Sequence, residues 1–79
     1  MATFHVKVLW PSGQPVKGSR VVAAFYGLLR GNTNEVYTND NGVATFSNYD
    51  PGEADIIVDG TTRAKGVYIS DGTTVTVTI

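Results

Sequence analysis

Residues 35–46 read Glu35-Val36-Tyr37-Thr38-Asn39-Asp40-Asn41-Gly42-Val43-Ala44-Thr45-Phe46. Two short runs of β-branched, aromatic and small residues flank an Asp-Asn-Gly turn. Asn41 and Gly42 both tolerate a positive φ, which is the requirement of the tight turns that reverse a strand. The stretch therefore predicts two strands joined by a tight hairpin. It sets the expectation for the whole chain, because the same grammar recurs on both sides.

Toward the N-terminus, Phe4, Val6, Val8 and Trp10 alternate with Thr3, His5, Lys7 and Leu9. Toward the C-terminus, Val75, Val77 and Ile79 alternate with Thr74, Thr76 and Thr78. Period-2 alternation assigns one set to a buried face and the other to a hydrated face. Threonine is a good strand former for the hydrated set. Pro11-Ser12-Gly13-Gln14-Pro15 ends the first run, and Asp50-Pro51-Gly52, Asp59-Gly60 and Asp71-Gly72 punctuate the second half. Strands are expected near residues 3–10, 20–26, 35–38, 43–47, 54–58, 62–70 and 73–79. Short strands at such regular intervals predict an all-β fold, a Greek-key β-sandwich of about seven strands. Asp71-Gly72 is expected to close a second hairpin.

One segment carries two readings. Val21, Val22, Phe25, Leu28 and Leu29 fall at helical spacing, so residues 20–29 could form an amphipathic helix. Gly18, Gly27 and Gly31 bracket or interrupt the segment, and its valines and aromatics favour strand. Strand is the preferred reading. Both faces of such a strand are apolar, so it is either central or meets a partner on its outer face.

The chain has 79 residues, room for one domain spanning 1–79. A domain of this size buries roughly 60% of the surface exposed by its unfolded chain, so the core is modest. There is no cysteine to staple that core or hold a metal. The net charge is -1, with 16% charged residues of mixed sign. No basic stripe suits a phosphate backbone, so nucleic acid is not an expected partner. No apolar run approaches the roughly 20 residues of a membrane-spanning helix, and no membrane partner is expected. The start, Met1-Ala2-Thr3-Phe4-His5-Val6-Lys7, lacks the pattern of a secretory signal. As given, the chain reads as cytoplasmic, and an extracellular place stays open for a mature form or an excised domain.

The residues together resemble the carboxypeptidase regulatory-like domains, with their prealbumin-like (transthyretin-like) and Ig-like sandwich. The resemblance runs from Phe4–Trp10 through Ser12-Gly13-Gln14-Pro15-Val16 and Lys17-Gly18-Ser19 to Val21-Val22-Ala23. It continues through Thr38 to Phe46, the turn Asp50-Pro51-Gly52 before Ala54–Val58, and the closing run from Val67-Tyr68-Ile69 to Val77. It covers nearly the whole chain, through fold-forming turns and no catalytic motif. It implies a structural, binding or accessory module of the carbohydrate-binding-like kind. The related transthyretin-like hydrolases carry several histidines and a C-terminal Tyr-Arg-Gly-Ser, which this sequence does not. Related adhesin domains join a first-strand lysine to a last-strand Asn or Asp. Aligning Gly13 puts Val8, not Lys7, at that position, so no such bond is expected.

No constellation for catalysis appears, and an enzyme is not expected. His5 is the single histidine and lies on the hydrated phase of its strand, without the nucleophile and orienting acid that a catalytic histidine needs. Asn39, Asp40, Asn41 and Gly42 match a calcium loop only superficially: Tyr37 and Asn48 stand where ligands are needed. Asp50, Glu53 and Asp55 form the densest acidic group, with fewer oxygen ligands than a hard cation wants. No metal or other cofactor is expected. Phe4, Trp10, Phe25 and Phe46 fit the core phase, while Tyr26, Tyr37 and Tyr68 fall on outer or ambiguous phases. The candidate interaction surface is Tyr26, Leu28, Leu29, Tyr37 and Tyr68, or an unpaired sheet edge through which the chain meets a protein partner or itself. The alternative is a carbohydrate, met by surface tyrosines and the loop amides Asn32, Asn34 and Asn48.

Overall fold

The alternating N-terminal run forms strand β1, Ala2–Leu9, with Phe4, Val6 and Val8 buried and Lys7 exposed. Six strands follow in the computed structural model, which describes residues 1–27 and 30–79: β2 Arg20–Phe25, β3 Val36–Tyr37, β4 Val43–Tyr49, β5 Gly52–Val58, β6 Thr61–Ile69 and β7 Thr74–Thr78. They form a three-stranded sheet, β4-β1-β7, and a four-stranded sheet, β3-β2-β5-β6. β1 and β7 run parallel, with His5 opposite Thr74 and Leu9 opposite Thr78. The remaining strand pairs are antiparallel. After β3 and β4, the chain returns as β5 beside β2, which is the Greek-key return. The expected all-β sandwich is therefore the observed fold.

The core lies between the sheets. Phe4, Val6 and Val8 of β1, Phe46 of β4 and Val75 and Val77 of β7 meet Val21 and Phe25 of β2, Ile56 and Val58 of β5 and Ile69 of β6. Phe4 stacks on Phe46 with centroids 4.8 Å apart and meets Phe25 edge-on at 6.1 Å, which ties one sheet to the other. Each such side chain gains about 1.5–3 kcal/mol by leaving water.

Residues 20–25 are strand, and β2 is flanked by β3 and β5. Val21, Ala23 and Phe25 point into the core, and Val22 and Ala24 are half-buried on the other side. The apolar residues on both sides thus belong to a central strand, and their helical spacing is incidental. Leu28 and Leu29 lie outside the described residues.

Two expected hairpins are corrected. Asn39 to Gly42 is a tight turn: Gly42 N–H donates to Asn39 O at 2.9 Å, and Asn39 Oδ1 accepts the N–H groups of Asn41 and Val43. Yet β3 pairs with β2 and β4 with β1, so the turn carries the chain between sheets. The cause is that Thr38 is taken by another partner. Its N–H donates to Ser19 O and its carbonyl accepts from Gly18 N–H. Asp71-Gly72 is likewise a corner, from β6 to β7. Asp71 Oδ1 accepts Thr3 N–H at 2.9 Å and Gly72 N–H donates to Thr3 O at 2.8 Å, docking the turn on β1. The tight in-sheet hairpin is Asp59-Gly60, where φ values of 50 and 84° match the twist of the flanking strands β5 and β6.

Trp10 is also corrected. It is 49% exposed, not in the core. β1 ends at Leu9, and Trp10 is drawn into the following turn, donating its N–H to Gln14 O and accepting from Gly13 N–H.

Candidate functional site

The outward side chains of the four-stranded sheet form rows across its strands. Residues directly opposite one another point the same way, so register decides which side chains meet. Tyr68 on β6 stands opposite Glu53 on β5. Tyr26 follows β2 on the other flank of β5, its N–H donating to Glu53 O at 2.9 Å. The first row is therefore Tyr26, Glu53, Tyr68. Behind it come Ala24 opposite Asp55, then Val22 opposite Ile57, and finally Arg20 opposite Tyr37 of β3. The structure thus gathers Tyr26, Tyr37 and Tyr68 on one face, 48%, 60% and 63% exposed. Val22, Ala24 and Ile57 are the half-buried floor between them.

The polar end of this face is built around Asp55. Its Oδ1 accepts the Tyr26 hydroxyl at 2.5 Å and Gly66 N–H at 3.0 Å. The phenol's hydrogen bond, the Gly66 N–H and nearby Lys65 hold the Asp55 carboxyl below the usual range. The same hydrogen bond raises the Tyr26 phenol above its usual value, helped by desolvation and by the negative charge of Asp55. Gly66 can serve because β6 is bulged. Its register slips twice against β5, and Gly66 sits at φ 60°. The signal for that slip in residues 61–69 is Gly66 itself, since an isolated glycine inside a strand run marks a bulge.

At the other end, Arg20 pairs with Glu35 at 3.4 Å. The pair borders a groove of about 180 Å³ over Val22 and Ile57, closed by Asn32 and Gly60.

A second concavity, about 310 Å³, opens at the end of the sandwich beside Phe25, between the segment at Arg30–Asn32 and the end of β4 at Asn48 and Tyr49, followed by Asp50. Arg30 organises it. Its guanidinium lies 4.1 Å over the Phe25 ring and donates to Asp50 O at 2.6 Å and Pro51 O at 3.0 Å. Asn32 and Asn48, two of the three candidate amides, line this cleft together with Tyr49. Asn34 is set to one side, donating its backbone N–H to Tyr49 Oη. The role of Arg30 has no signal in the sequence, because its partners are carbonyls 20 and 21 residues away.

The acidic group is split by the fold. Asp50 lines the cleft, whereas Glu53 and Asp55 share the outer sheet face. His5 lies on the outer face of the other sheet, its Nδ1 within 2.9 Å of Thr45 Oγ1. Among the described residues, no three His, Asp or Glu side chains converge as a metal would require, and no helix is long and apolar enough to cross a membrane. No family model matches the chain, and no curated protein matches it.

Proposed function

We propose that this chain is a non-catalytic protein-interaction module that works through the outer face of its four-stranded sheet. The observation that carries the reading is the placement of Tyr26, Tyr37 and Tyr68 on one face around the half-buried Val22, Ala24 and Ile57. Aromatic rings rimmed by charge are what interfaces enrich and ordinary surface scatters. The resemblance to carboxypeptidase regulatory-like domains supports the same reading, as such domains are structural or accessory. A photo-crosslinking residue at position 37 or 68 tests it, with positions 45 and 76 on the opposite sheet as controls. Adducts from the first pair alone are expected in cells. Adducts from the controls alone would move the working surface to the other sheet.

A second reading has its own observation: Asn32 and Asn48 meet in the cleft beside Tyr49 and Arg30. Amides beside an aromatic wall suit a saccharide, whose hydroxyls take hydrogen bonds while its ring lies on the aromatic face. Titration with oligosaccharides, followed by the amide NMR signals of these residues, tests this reading.

A further inference from the structure

We infer that the row Tyr26–Glu53–Tyr68 receives an arginine side chain from the protein partner. This rests on the reading of the tyrosine face as the working surface and names the chemistry of what docks there. Tyr26 and Tyr68 stand on either side of Glu53 across three neighbouring chain segments. Aromatic faces attract cations through their quadrupole, and a carboxylate adds a charge-assisted hydrogen bond.

Glu53 is available for this. It is exposed, and among the described residues its carboxylate makes no ion pair and no hydrogen bond. Gly66 lies close beneath it. A Cβ at Gly66 would stand 3.7 Å from Tyr26 Oη and 3.9 Å from Glu53 Oε2, so both polar groups overhang bare backbone. Asp55 stands behind the row, held as a carboxylate by Tyr26 and Gly66. Lys65 is a cation near Asp55, so one positive charge faces the two carboxylates Glu53 and Asp55 and the corner is net negative. At the far end of the face Arg20 is matched by Glu35.

The geometry favours a guanidinium over other cations. A calcium ion wants six or more oxygens, and here one carboxylate is already engaged twice. A guanidinium is planar, stacks on rings and presents a fork of donors to a carboxylate, which an ammonium does not. The row lies on an open sheet face rather than in an enclosed cavity, so a side chain carried on a partner's surface fits it better than a free small molecule.

Amide-resolved NMR titration of the intact chain tests the inference, using hexa-arginine, hexa-glutamate and cellohexaose as probes at one ionic strength. Hexa-arginine is expected to shift Tyr26, Glu53, Gly66 and Tyr68. Glu53→Gln and Tyr68→Ala should each weaken it about threefold, the scale of one exposed charge pair or cation–π contact. Lys65→Gln should tighten it, an effect that a merely structural role for the row would not produce. Shifts at these residues with hexa-glutamate or cellohexaose but not hexa-arginine would overturn the arginine assignment and keep the face. Shifts with none of the probes, together with control-only crosslinks, would overturn both.

Discussion

The Tyr26 hydroxyl and the Gly66 amide converge on one oxygen of Asp55, at 2.5 and 3.0 Å, and so tie the end of β2 to the bulge in edge strand β6. The carboxylate is the acceptor both donors need. Asp55 therefore titrates lower in the folded chain than in the unfolded one. A lowered carboxyl contributes stability above its unfolded value, about 3.9, and loses it as pH falls through the folded value. Asp55→Asn should be less stable than the parent at neutral pH, with the difference closing in acid. Tyr26 has the opposite sign: its raised phenol contributes below about 10 and loses that contribution as pH rises through the folded value. Denaturant melts of the parent, Asp55→Asn and Tyr26→Phe across pH check both arms.

Phe46 is 1% exposed and stacks on Phe4 at 4.8 Å. Phe46→Ala leaves a cavity against both sheets and should cost about 3–5 kcal/mol, measured by urea unfolding. A loss below about 1 kcal/mol would mean that the sheets collapse into the gap.

Gly42 and Gly31 should respond oppositely to alanine. Gly42 has φ 74°, and an added Cβ would lie 2.7 Å from Val8 O. Strain and clash together should cost Gly42→Ala at least about 1–2 kcal/mol. Gly31 has no positive φ, and an added Cβ meets no atom of the described residues within 4 Å, so Gly31→Ala should be neutral or slightly stabilising. Thermal melts of the two variants side by side read the contrast.

Thr38 is buried, donates its hydroxyl to Val16 O at 2.6 Å and accepts Ser19 N–H at 2.9 Å. Thr38→Val keeps the shape and orphans both partners. It should lose about 1–3 kcal/mol in denaturant unfolding, because this is the residue that steers β3 away from β4.

Trp10, half in water beyond the end of β1, should emit like a solvated indole in the folded protein and be readily quenched by iodide. Its emission should move little on unfolding. A large red shift on unfolding would return Trp10 to the core.

Fold class was legible in the alternation of Phe4, Val6 and Val8 and of Val75 and Val77, because a two-residue period has one meaning when one face must be dry. The turns were legible too, since Gly42 and Asp59-Gly60 take the positive φ a reversal needs, although Asn41 does not. Which strands those turns join was not. A tight turn specifies a local reversal, not whether the flanking strands then bond to each other. At Gly42 that choice belongs to Thr38, whose partners Ser19 and Val16 lie 19 and 22 residues back in the chain.

The candidate surface divides the same way. Sequence by itself put Phe4, Phe25 and Phe46 on the core phase and left Tyr26, Tyr37 and Tyr68 on outer or ambiguous phases, since strand period assigns each residue a side only where the run is unbroken. Only tertiary structure decided that the three share one sheet, that Glu53 falls between two of them, and that the bulge brings the Gly66 backbone beside that carboxylate. Strand order and register are settled by packing over the whole molecule, where many weak contacts compete, and no local run of residues encodes their sum.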